Sequence, residues 1–207
     1  MAPEKIEALF TRGDGQYLFA RWGRPIVPVV FGVEDASLTV FKGAIEAVVA
    51  LAGHKMAETD PEIGANLMLF CFRDWRELLE VRDLDRLVPE LPELVARLQA
   101  ARANQYRIFR FDPDGAIRAA FVFLQIDASL AAMEVETLAL AQAVQVILLW
   151  SDRSFDGISP LVRVGGRVVL RPEIGAVIRA GYDPVMPVAA RDASHALRLA
   201  ARIGAGS

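Results

Sequence analysis

Residues 135–152, VETLALAQAVQVILLWSD, constrain this chain more tightly than any other stretch. From Leu138 to Trp150 the run is almost continuously apolar, yet it carries Gln142 and Gln145 and runs out into an acidic loop. Crossing a bilayer core of ~30 Å takes about 20 apolar residues. This run is too short and too interrupted by glutamine for that, so it predicts a core helix and no membrane span. Whether the helix also serves a site depends on where its two amides point.

A core helix needs material around it. The chain has 207 residues, 54% of them hydrophobic, which is enough to bury a core without disulfides or a metal. A mean hydropathy of +0.31 lies above ordinary globular usage. The excess predicts a thick core or a sizeable contact surface, shared with a second copy or another protein. With 23 basic and 26 acidic residues, the charges nearly cancel. That balance excludes a polybasic or acidic tail and lacks the basic footprint of a nucleic-acid binder. Cys71 is the lone cysteine, so no intramolecular bridge forms and a reducing, cytoplasmic setting is the expectation. The opening MAPEKIEALFTRGDGQ places acidic residues where a secretory signal would carry a positive leader and an apolar run.

The remaining elements follow from periodicity and punctuation. YLFARWGRPIVPVVFGV is extended, and Pro25 and Pro28 suit an edge strand. Asp35 and Ser37 offer cap oxygens to LTVFKGAIEAVVALAG, a helix that Gly53 stops. NLMLFCF has the length and continuous apolarity of a strand covered on both faces. RDWRELLEV and PELPELVARLQAARANQ read as helical. YRIFRF, the turn DPDG and AIRAAFVFLQID form a hairpin, with Asp112–Gly115 as its tight corner. A helix capped by Ser129 then runs to about Trp150. LVRVGGRVVL is a second hairpin turning on Gly165 and Gly166; RPEIGAVIRAGYDPVMP gives a short helix ending at Gly181, and ARDASHALRLAARIGAG closes the chain as an amphipathic helix. Together these predict one α+β domain over residues 1–207, a mainly antiparallel sheet with helices packed on it.

Several chemistries fail on residue type alone. His54 and His195 are far apart, so there is no zinc-protease helix, and a lone cysteine excludes cysteine-based zinc sites. Cys71 sits inside an apolar strand, where a thiol is buried and inert. The glycine clusters GDG and VGGR match neither phosphate-binding fingerprint, so no nucleotide, metal or other cofactor is expected. Three constellations remain. Gln142 and Gln145, three apart, share a helix face and can bind a polar ligand or satisfy backbone groups. Asp152 and Asp156 flank the loop after them, where paired carboxylates suit a hard cation, acid–base work or a solvated turn. Arg191, His195, Arg198 and Arg202 recur at four, three and four, a stripe opposite Leu197, Ala200 and Ile203 that offers an anion a basic face.

In LALAQAVQ, WSDRSFDG and GYDPVMP the second half resembles an uncharacterised proteobacterial family, many of them putative lipoproteins. That family has a zincin-like layout, with a Glu-Glu-x-x-Gln-Ala-Leu-Gly helix, an Asn-Asp loop and a late Tyr-Asp-Pro segment. Gln142 and Ala143 match the helix, Asp152 the loop, and Tyr182, Asp183 and Pro184 the late segment. The family's acidic pair falls on Leu138 and Ala139, and its glycine on Gln145. Glu134 and Glu136 lie out of register, since two residues turn a helix by about 200°. The resemblance thus implies a zincin-like architecture without hydrolytic carboxylates, and export among its relatives. The expectation is a non-catalytic binding or interaction module. The alternative is a hydrolase or other small-molecule enzyme using Gln142, Asp152, Asp156 and His195.

Overall fold

The LMLFCF run becomes a central strand because its side chains are apolar on both sides and both sides need cover. In the computed structural model, which describes residues 1–205, this strand is β3 (Leu67–Phe72). It lies between β2 (Pro28–Phe31) and β5 (Ile117–Gln125), parallel to both, and β4 (Gln105–Phe111) completes the order β2-β3-β5-β4 as an antiparallel edge. The α+β class holds, but the central sheet is mixed rather than mainly antiparallel. Its antiparallel pairing is confined to the β4–β5 hairpin, and the other antiparallel pairs are small ribbons: β1 (Phe19–Ala20) with β8 (Ala189–Ala190), and β6 (Leu161–Val164) with β7 (Arg167–Leu170). Helix α2 (Asp35–Leu51) is the cause. It carries the chain from the end of β2 back to the start of β3, the crossover that parallel strands require.

Alternation along the strands divides the core. Leu67, Leu69, Cys71, Val122 and Leu124 face α2 and α6 (Val135–Ile147). Phe70, Phe72, Phe121 and Phe123 face the other way, where a 3-10 turn (Trp75–Glu80), α3 (Leu84–Leu87) and α4 (Leu91–Ala100) supply Trp75, Leu78, Leu84, Leu94 and Leu98. The 3-10 turn starts where Asp74 accepts from the Arg76 N–H while Glu77 accepts from the Asp74 N–H, a reciprocal capping box. At the end of β2, Gly32 has φ 77°, and a Cβ there would lie 1.8 Å from the Cys71 carbonyl oxygen. Only glycine fits.

The remaining helices pack outside this frame: α1 (Pro3–Ala8), α7 (Pro172–Gly181) and α8 (Ser194–Ala205). Gly206, assigned to the last helix from sequence, lies outside the described residues. The helix expected from Ser129 to Trp150 is two. Asp127, not Ser129, caps α5 (Ala128–Ala131), its carboxylate accepting from the Ser129 and Leu130 N–H groups. The chain breaks and restarts at Val135. At the far end α6 stops at Ile147 without a glycine, because side chains take over its last carbonyls. Trp150 Nε1 donates to Val144 O, Trp22 Nε1 to Val146 O and the Tyr182 hydroxyl to Ile147 O, at 2.7–2.8 Å. Leu149 then donates its N–H to Ala20 O.

Candidate functional site

Alternation in YRIFRF decides what each residue of β4 meets. Tyr106 and Ile108 join the aromatic cluster under α4, while Phe109 packs into the cluster that contains α6 and Arg107 reaches α6 itself. A guanidinium is thereby placed between a strand and an apolar helix, and amides meet it there. Arg107 Nη2 donates to Gln105 Oε1 at 2.9 Å and to Gln142 Oε1 at 2.5 Å; Gln142 Nε2 donates to Gln105 Oε1 at 3.0 Å. Gln142 is 1% exposed, so it acts through Arg107. The Arg107 Nε is fully enclosed and has no acceptor. Burial alone pushes the Arg107 pKa down to about 10, which still leaves a full charge at neutral pH.

A cleft of about 610 Å³ opens beside this network. One wall is β4 from Gln105 to Phe109, with Phe111; the other is Gln145, Trp150, Asp152, Phe155, Asp156 and Arg12. The second wall is pinned to the segment after α1. Ser151 donates its N–H to Leu9 O and its hydroxyl to Thr11 O, and the Ser154 hydroxyl donates to Leu9 O at 2.6 Å. Trp150 stacks on Phe10 at 5.3 Å and meets Phe155 edge to face. Asp152 accepts the Gly13 N–H at 3.1 Å and, at 3.1 Å from the Ser151 hydroxyl, competes with Thr11 O for its single hydrogen. The Gly13 bond foremost, with help from Ser151 and the charge of Arg12, holds its carboxyl below the usual range. Asp156 is exposed and pairs with Arg153 at 3.8 Å.

The first wall is an open sheet edge. Gln125 donates its N–H to Asn104 O, so Asn104 faces β5. Antiparallel bonding alternates residue by residue. The N–H and C=O groups of Gln105, Arg107 and Phe109 therefore face away from β5, along the rim of the cleft.

Of the residues singled out from sequence, Gln145, Asp152 and Asp156 line this one cleft, and Gln142 stands behind its wall. The basic stripe is not brought together. Helix α8 begins at Ser194, after Arg191, and His195 turns inward: it is 3% exposed, its Nδ1 is 2.8 Å from the Tyr17 hydroxyl and its ring lies 4.3 Å from that of Phe19. Arg198 donates to Val185 O, and Arg202 pairs with Asp183. The reason is the rotation of the helix, which buries His195, Ala196 and Leu199 and leaves Leu197 60% exposed. His195 consequently has no place in the cleft. Cys71 is buried, and desolvation pushes its thiol up to about 11.

Arg107, Gln105 and the β4 edge were not anticipated. The signal was present in YRIFRF: an alternating strand that puts Phe109 toward the core puts Arg107 on that same face. Among the described residues, no group of three or more His, Cys, Asp or Glu side chains is close enough to hold a metal ion. Comparison with family models, with curated proteins and with solved structures gives no match to this chain.

Proposed function

We propose that this protein is a non-catalytic binding module that accepts an extended polypeptide segment as an added strand along β4. The open edge of β4 on the cleft carries this reading. Outward N–H and C=O groups at Gln105, Arg107 and Phe109 recur every second residue, the spacing that a docking strand matches. Main-chain pairing supplies affinity, and the aromatic surfaces of Phe111, Trp150 and Phe155 supply apolar contact. The volume of about 610 Å³ falls within the range of roughly 300–1,000 Å³ usual for ligand sites. The reading agrees with a degenerate zincin-like architecture, in which Leu138 and Ala139 replace the acidic pair on the helix. The buried lone thiol of Cys71 suits a reducing, cytoplasmic setting.

The test is to select binders from a random peptide library and to scan one of them by N-methylation. Methyl groups at every second residue should weaken binding by about tenfold, the worth of one hydrogen bond, and those between should be silent. A pattern without that alternation ends the reading, and a concentration-dependent dimer blocked by the same peptide would identify a second copy as the natural occupant.

A second reading, hydrolysis in this cleft, rests on Gln145, Asp152 and Asp156 sharing it. Loss of intact peptide on prolonged incubation, abolished by Asp152→Asn, would replace the first reading with this one.

A further inference from the structure

Arg107 poses a problem that the fold leaves unsolved. Its guanidinium lies in a wall of the cleft, its two Nη2 acceptors are neutral amides, its Nε is enclosed without an acceptor, and it joins no ion pair among the described residues. A charge partly withdrawn from water is disfavoured unless an opposite charge meets it. No carboxylate among the described residues lies within ion-pair distance of Arg107. Asp152 is turned toward the Gly13 N–H, Asp156 pairs with Arg153, and Arg12 adds a second cation whose Nε is also enclosed without an acceptor. Arg107 Nη1 has no partner among the described residues and is not among the enclosed atoms, so it is the donor left to the cleft.

We infer that Arg107 anchors a carboxylate of the ligand, held end-on by its guanidinium while the Gln105 and Gln142 amides fix the orientation of that group. A singly charged, planar anion suits the site better than a phosphate dianion, because Asp152 and Asp156 line the same cleft and their repulsion grows with the charge of the ligand. The carboxylate has two sources, the terminal group of a chain whose last residue lies against β4 or the side chain of an acidic residue within it. The inference rests on the same cleft as the binding reading but not on the occupant being a polypeptide.

Nitrogen-detected magnetic resonance of the Arg107 Nε–H, assigned by its loss in Arg107→Lys, tests this with three small probes. N-acetylphenylalanine carries a terminal carboxylate, N-acetylglutamic acid α-amide a side-chain carboxylate, and N-acetylphenylalaninamide none. A saturable shift with one acid and at least a tenfold weaker response to the neutral amide supports the anchor, and the acid that binds names the source. No shift with either acid, an equal response to the amide, or displacement of the acids by inorganic phosphate overturns it. If Arg107→Lys fails to fold, a shift of any side-chain Nε–H by acid but not by amide, placed at Arg107 by its contacts to the Gln142 amide protons, decides the matter. If the acids bind and no peptide does, the polypeptide reading fails while the anchor stands.

Discussion

Two nitrogen groups, His195 buried in the core and Arg107 half-buried beside the cleft, share one defect. Each has a ring or guanidinium nitrogen enclosed without a hydrogen-bond partner. They differ in how they can respond. An imidazole in an apolar cage releases its proton: burial, assisted by the charge of Arg198, pushes His195 down to about 4, so it is neutral at physiological pH and needs only the Tyr17 hydroxyl. A guanidinium has no such exit, and Arg107 stays charged with its pKa at about 10. Loss of water therefore makes the histidine a neutral part of the core and leaves the arginine a charge that the fold does not pair.

The largest test of this contrast is Gln142→Leu. It removes an acceptor from a charge that cannot neutralise, and should cost about 3 kcal/mol in urea unfolding. Adding Arg107→Met to that variant removes the charge and should bring stability back to within about 1 kcal/mol of wild type. A double variant as unstable as Gln142→Leu alone would mean that the amide supports packing rather than the arginine.

Acidification should separate the two groups next. Folded His195 titrates near 4 and an unfolded histidine near 6.5, so between those values the unfolded chain holds more protons and stability falls as pH falls. The contribution of His195 is complete above about 6.5 and gone by about 4, a loss of up to about 3 kcal/mol. His54, also lowered by burial, adds in the same direction. Unfolding measured across that window should flatten in the His195→Leu, Tyr17→Phe pair, whereas Arg107→Met should keep the wild-type shape. An unchanged profile in the pair would show that His195 is charged in the fold.

The smallest effect belongs to Arg107→Met alone. Exchanging an unpaired, half-buried charge for an apolar side chain should leave the melting temperature unchanged or raise it, by about 1 kcal/mol in stability, while the response to N-acetyl acids disappears. A loss of several kcal/mol would make Arg107 a structural element and not a site.

Local signals carried much of this fold into view. The apolar run of β3, the Gly53 stop after α2 and the turn Asp112–Gly115 are decided by near neighbours, and all occur where periodicity and punctuation put them. Parallel pairing of β2, β3 and β5 is a property of the crossover and has no local signature, although a strand apolar on both faces hinted at it. α6 stops at Ile147, short of Trp150, because two of the three groups that take its last carbonyls, Trp22 and Tyr182, come from distant segments. In the site, Gln145, Asp152 and Asp156 were found by residue type and proximity in the chain. Arg107 has no such signal of its own in the chain: the hairpin pattern leaves the face of each residue open, and the packing of Phe109 two residues on decides its side.

The irregularity in the β4–β5 ladder between Arg110 and Phe111 bears on how this chain tolerates changes in length. Side chains swap faces with every one-residue slip, so a shift of β4 would exchange Arg107 for Ile108 and drive a cation among the phenylalanines. Near the hairpin corner an extra or missing residue can be absorbed by remaking or erasing the bulge. Between Gln105 and Ile108 there is no such slack, and a deletion there would invert the strand rather than shorten it.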